Sequence, residues 1–104
     1  MLEAMVNFTL VEHFYGAHFR PALTAPGYAR LTTPWRRPYA TTDGYVCIVP
    51  YTDQHWQRFF NEAHRPDLLQ DERFCSMSAR TAHIDALYQE LAACVAKRST
   101  SDWI

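Results

Sequence analysis

Lysine is almost missing from this sequence: Lys97 is the single one among ten basic residues, and eleven acids leave a net charge of −1. That balance removes the basic excess which nucleic acid or an anionic membrane surface requires. The arginines that remain are better suited than lysine to carboxylate and phosphate contacts. Cysteine is scarce and badly spaced for a framework. Cys47, Cys75 and Cys94 are odd in number, form no CxxC and make no zinc-spaced pair, so they read as free, mostly buried thiols of a reducing cytosol. No apolar run approaches the roughly 20 residues of a membrane span. The start, Met1-Leu2-Glu3-Ala4-Met5, lacks the basic segment of a signal peptide. Nothing repeats, and nothing is of low complexity.

What is present is a chain of 104 residues, 48% hydrophobic and 14% aromatic. This suits one domain of modest size and excludes disorder as the default state. Residues 1–15 carry no Gly or Pro, and Gly16 follows as a stop, which predicts a helix. Its apolar residues, Leu2, Met5, Val6, Phe8, Leu10, Val11 and Phe14, fall on nearly every face. A helix of that kind is normally buried on several sides, and a chain this short offers little to bury it.

Pro21, Pro26, Gly27, Pro34 and Pro38 break regular structure across 17–43. A loop of that length is expected only where it is functional or a linker. Asp43-Gly44 is turn chemistry, with glycine available for a positive φ. Tyr45-Val46-Cys47-Ile48-Val49 reads as a strand, with Pro38-Tyr39-Ala40-Thr41 as its hairpin partner. Thr52 or Asp53 is placed to cap a helix whose Trp56, Phe59, Phe60 and Ala63 recur at helical spacing, ending at Arg65-Pro66-Asp67. Leu68 to Phe74 predicts a turn or single helical turn. A further helix over about 84–97 puts Ile84, Leu87, Tyr88, Leu91 and Val95 on one face. Thr100 or Ser101 then reads as the cap of another helix, whose only apolar residues are Trp103 and Ile104. Both ends read as interrupted. The fold class is α+β: an N-terminal helix, a long Pro-rich linker, a short β-hairpin or strand set, and two or more helices.

The order of these steps resembles the class III (CaiB/BaiF-type) CoA-transferase family, with formyl-CoA transferase and alpha-methylacyl-CoA racemase among its members. The resemblance rests on Arg37-Pro38-Tyr39 through Asp43-Gly44-Tyr45-Val46-Cys47-Ile48, on Trp56, on Arg65-Pro66-Asp67-Leu68, on Asp71-Glu72-Arg73-Phe74, on Arg80, and on Thr100-Ser101-Asp102-Trp103. It departs at Ser76-Met77-Ser78, where the family's Asn is absent, and at His83. The resemblance implies a parent with an α/β large domain joined to a small domain, two chains interlocking as a homodimer, and a cytoplasmic location. It implies acyl-CoA and a carboxylic acid as substrates, with coenzyme A carried as substrate and no covalently bound cofactor. On that reading residues 1–16 are a helix from the end of the large domain or from an interface, 17–38 a linker, and 39–104 a small domain truncated at its C-terminus. The catalytic Asp of the family lies upstream, so no residue here is catalytic and this piece alone is inactive.

The candidate substrate-binding residues are Trp35, Arg36, Arg37 and Tyr39, two guanidiniums flanked by aromatics that suit a phosphate, a carboxylate or the mouth of an acyl-CoA site. Ordinary salt bridges beside a linker are the competing reading. The glycines of a covering loop are missing there. His13, His18 and Glu12 do not have the i, i+4 spacing of metal ligands on one helix face, and no metal site is expected. Trp56, Phe59 and Phe60 read as core. Three alternatives stay open: an acyl-CoA racemase relative, a non-catalytic module dimerising through helix 1–15, and a small hydrolase using Cys or His.

Overall fold

A computed structural model describes residues 1–25 and 27–104. Pro26, counted above among the prolines that interrupt the linker, lies outside the described residues. The chain divides into two compact units, Met1–Arg36 and Arg37–Ile104. Among the described residues the fold is α+β, with seven α-helices and one two-stranded antiparallel sheet.

In the first unit, α1 spans Leu2–Phe14 and has no buried residue. The expectation of a helix holds, and so does the difficulty of burying it. Leu2 and Phe8 are each nearly four-fifths exposed, and Met5, Val6 and Val11 are exposed as well. A 3-10 turn follows at Tyr15–His18, and a short helix, α2, at Ala29–Thr32. The linker is therefore less irregular than its prolines predict. Its path is fixed by close approach: Gly27 donates its N–H to the His13 carbonyl at 3.1 Å, and a Cβ there would collide with the Tyr15 ring. Tyr15 itself takes a positive φ of 44°.

The second unit holds the core. β1 (Tyr39–Ala40) pairs with β2 (Tyr45–Val46), Tyr39 opposite Val46 and Ala40 opposite Tyr45. The hairpin is where the sequence placed it, but the second strand is shorter. Gly44 does not use a positive φ. A glycine fits there for room, because a Cβ would stand 3.2 Å from Thr100 Oγ1. The run 45–49 is not buried on both faces, since Tyr45 in β2 and Val49 beyond it are largely exposed. Cys47 and Cys75 are exposed and only Cys94 is buried, which corrects the reading of mostly buried thiols.

α3 (Asp53–Glu62) is capped by Thr52, whose hydroxyl accepts from His55 N–H at 3.2 Å while His55 Nδ1 accepts from Thr52 N–H. It ends earlier than Arg65. Arg65 N–H reaches the Phe60 carbonyl at 2.8 Å and His64 N–H the Asn61 carbonyl at 3.1 Å, with His64 at φ 56°. That is a Schellman ending with histidine where glycine is usual. α4 (Asp67–Gln70) and α5 (Met77–Ala82) follow. Ser76 accepts from Ala79 N–H at 3.2 Å, so α5 is capped despite the missing Asn. α6 (Ile84–Val95) buries all five predicted face residues and Cys94. The rest of the core is Trp56, Phe59 and Phe60 of α3, Leu68, Phe74 and Tyr39, each buried side chain contributing about 1.5–3 kcal/mol. α7 (Thr100–Trp103) is capped by Ser99 rather than Thr100 or Ser101, in a reciprocal pair with Asp102.

Thr100 has another task. Its N–H donates to Asp43 Oδ1 at 2.7 Å and its hydroxyl to the same oxygen at 3.0 Å, tying the hairpin turn to α7. These bonds, the backbone one foremost, hold the Asp43 carboxyl below its ordinary 3.8. The Arg65 guanidinium lowers Asp67, the Ser99 cap lowers Asp102, and Arg73 brings Asp71 down to about 2. A carboxyl whose folded value is depressed adds stability above its unfolded value and loses it as pH falls through the folded one. The melting midpoint of this unit should therefore be flat above about pH 5 and fall steadily from about pH 4 toward 2. Asp43→Asn should make that fall shallower in a calorimetric or circular-dichroism series. A midpoint indifferent to acid would contradict these contacts.

Candidate functional site

The four candidate residues fall on both sides of the division between units. Trp35 and Arg36 close the first unit in a turn held by Thr33, which accepts from Trp35 N–H through Oγ1 at 3.2 Å and from Arg36 N–H through its carbonyl at 3.4 Å. Trp35 is half-buried and Arg36 exposed. Arg37 and Tyr39 open the second unit. Arg37 is exposed, whereas Tyr39 is 4% exposed and sits in the core. His13 stacks on Tyr28 at 5.4 Å, and His18 Nε2 lies 3.2 Å from the Val11 carbonyl. No group of three or more potential metal ligands is present among the described residues.

The most developed polar site is one that the sequence pattern does not assemble. In sequence, Arg80 of α5 stands only as a step in a family pattern, and Asp53 only as a cap. The structure joins them in an ion pair across 27 positions. The Arg80 side chain is 7% exposed, that of Asp53 66%. The second amino group of Arg80 donates to the Phe74 carbonyl at 2.8 Å. Its Nε–H is buried and has no hydrogen-bond partner. Both residues line a cavity of about 350 Å³ with Trp56, Gln57, Asn61 and Cys75. The signal that could have found it is an arginine on a six-residue helix that lacks an apolar stripe. Arg80 is the one buried residue of α5, and it ties that helix to Phe74 and to Asp53 of α3.

The remaining acids are mostly engaged in ordinary contacts. Arg65 binds Asp67 at 2.8 Å and Glu90 at 3.3 Å, Arg73 binds Asp71 at 2.7 Å, and Arg98 binds Glu62 at 2.8 Å. Each of these carboxylates is directed at an arginine, which suits structure rather than nucleophilic attack.

The profile of CoA-transferase family III matches residues 1–104, the whole chain. The chain belongs to CoA-transferase family III. It is 33% identical over 66 residues to the probable fatty acyl-CoA transferase Rv3272 of Mycobacterium tuberculosis (strain ATCC 25618 / H37Rv), an alignment that covers 64% of this chain and 17% of that protein. The orthorhombic crystal structure of Rv3272 superposes with a TM-score of 0.59 at 33% identity, over 70% of this chain and 21% of that one. A second crystal structure of Rv3272, described as a hypothetical protein, gives 0.57 at 32% identity, over 69% and 20%. This family III chain thus spans about a fifth of the length of the relatives it matches. None of its described helices is long and apolar enough to cross a membrane.

Proposed function

We propose that this chain is a segment of an acyl-CoA transferase that moves coenzyme A between carboxylic acids, with fatty acyl thioesters as the substrate class. The observation that carries the reading is the family match over every residue, joined to the likeness to a probable fatty acyl-CoA transferase. In the reaction a carboxylate of the enzyme attacks the thioester carbonyl, the C–S bond breaks, and CoA leaves as the thiolate. The acceptor carboxylate then attacks the enzyme carbonyl of the acyl–enzyme anhydride, which frees the first acid, and the CoA thiolate attacks the acceptor carbonyl of the new anhydride, giving the acceptor's CoA thioester and restoring the enzyme carboxylate. The attacking carboxylate belongs to the part of the protein that this chain does not span. The engagement of Asp43, Asp53, Asp67, Asp71 and Asp102 in caps, turns and ion pairs supports that assignment.

The role left to this segment is scaffold, active-site wall and subunit interface. Residues 1–16 serve as a helix from the end of the large domain or from an interface, 17–38 as the linker and 39–104 as the small domain. The apolar, unburied α1 supports the interface role in a homodimer, and the exposed Arg36 and Arg37 supply guanidiniums suited to phosphate or carboxylate groups of the substrate. Incubated with a long-chain acyl-CoA and a second carboxylic acid, the 104-residue chain should form no new thioester detectable by mass spectrometry. Appearance of the acceptor's CoA thioester would overturn the location of the nucleophile.

A further inference from the structure

We infer that the extended segment Tyr45–Val49 is a self-association surface, which pairs antiparallel with the same segment of a second copy of this chain, Cys47 lying opposite Cys47. The surface lies wholly within the Arg37–Ile104 unit. It is separate from α1 and independent of the transferase reading.

Three observations carry it. First, the segment is an edge with unused backbone groups. Thr41 N–H donates to the Gly44 carbonyl at 2.9 Å. Bonded and non-bonded pairs alternate along an antiparallel ladder, so Ala40–Tyr45 is a non-bonded pair and Tyr39–Val46 a bonded one. Tyr45 and Cys47 therefore direct their N–H and C=O groups away from β1. Cys47, Ile48 and Val49 make no hydrogen bond among the described residues, and an open cavity of about 460 Å³ borders Val46–Pro50. Second, the outward face is apolar and unguarded. Exposure alternates, with Tyr45, Cys47 and Val49 exposed and Val46 and Ile48 half-buried. No charged residue and no proline falls between Gly44 and Val49, although those are the devices that keep sheet edges apart. Third, the segment is complementary to itself. Antiparallel pairing about Cys47 sets Tyr45 opposite Val49 and Val46 opposite Ile48, each twice, and such aromatic and β-branched pairs are favourable across strands. The same register gives the outward backbone groups of residues 45, 47 and 49 their partners. The ends match in charge. Asp43 precedes the segment, and its carboxylate accepts from Thr41 and Thr100 through Oδ1 alone. Arg58 lines the cavity beside Val49 and Pro50. It is exposed and makes no ion pair or hydrogen bond among the described residues. The register carries Asp43 of each copy toward Arg58 of the other, so a two-fold pair matches both ends at once.

The test is disulfide trapping. Residues directly opposite in a bonded antiparallel pair have Cα atoms about 5.5 Å apart, a separation that a disulfide spans. Cys75 is the other exposed thiol, so the 104-residue chain carries Cys75→Ser. The oxidant is diamide, which accepts the two electrons and two protons that a pair of thiols gives up. Under native conditions the chain should form a Cys47–Cys47 dimer many-fold faster than the same chain unfolded in urea. Val49→Lys, which puts a charge on the exposed edge, should remove most of that advantage. If that variant does not fold, Arg58→Glu, at an exposed position of α3, brings like charges together at both ends and should slow trapping several-fold. Phe8→Glu on α1 should leave the trapping rate unchanged. Trapping no faster than in urea, or indifferent to Val49→Lys and Arg58→Glu, would overturn the pairing. So would its loss in Phe8→Glu, which would place the contact between copies at α1.

Discussion

Trp56→Ala should strip the Arg37–Ile104 unit of much of its stability and move its urea midpoint far down. Trp56 is 2% exposed. Its ring stacks on Phe60 at 5.6 Å, meets Phe59 edge-on at 6.3 Å and lies 6.4 Å from Tyr88 of α6. It therefore joins the two helices that make the core. Truncating a buried Trp to Ala costs about 3–5 kcal/mol, through the transfer energy forgone and the cavity left behind. At roughly 0.05–0.15 kcal/mol per residue, the unit holds about 3–10 kcal/mol, so the substitution removes at least about a third of its stability and at the low end all of it. Trp56→Phe should keep a cooperative melt at lower temperature, because a ring still bridges α3 and α6. Val6→Ala on α1 should change nothing measurable, since Val6 is 46% exposed and no α1 residue is buried. Urea midpoints of the three variants decide the matter. A Trp56→Ala chain whose midpoint stayed close to that of the parent would mean that the core is organised around some other side chain.

The legible part of this fold is the part with an apolar period. α3 and α6 announce themselves by residues at i, i+3, i+4 and i+7, and the structure buries those residues. The hairpin is announced by Asp43-Gly44 between two apolar runs. What periodicity does not carry stays hidden. α5 has no apolar stripe because its one buried residue is an arginine. α3 stops at Glu62 because His64 adopts a left-handed conformation usually left to glycine or asparagine. β2 stops at Val46 because strand pairing needs a partner as well as a β-forming sequence, and β1 offers two residues. The polar cavity is illegible for a related reason. A charge in sequence is read as solvated, and whether Arg80 is buried depends on a carboxylate 27 positions away. Trp35 to Tyr39, by contrast, stand out because four conspicuous side chains lie close together in sequence, and the structure places Tyr39 in the core.

Removing either partner of the Arg80–Asp53 pair should cost very different amounts, although both substitutions break the same ion pair. Asp53→Ala leaves a guanidinium that is 7% exposed with its charge uncompensated. Such a group must draw water into the core or distort its surroundings, and the cost is about 2–3 kcal/mol, the low end for a broken buried pair because the aspartate itself is mostly solvated. Removing an acid from the first turn of α3 adds a few tenths. Arg80→Met removes the charge and leaves the aliphatic volume. The stranded group is then Asp53, which at 66% exposure is hydrated by solvent, and the main penalty is the missing bond to the Phe74 carbonyl, about 1 kcal/mol. The double variant should be more stable than Asp53→Ala alone, because the second substitution removes the very charge that the first one strands. Urea midpoints for the two single variants and the double, assembled as a cycle, read this directly. Equal costs for the single variants would mean that Arg80 is solvated in solution and that the ion pair is an ordinary surface contact. An asymmetric cycle would mean that Asp53 is kept at the start of α3 to neutralise Arg80, with capping left to Thr52, and that α5 is anchored by electrostatics where its sequence offers no apolar face.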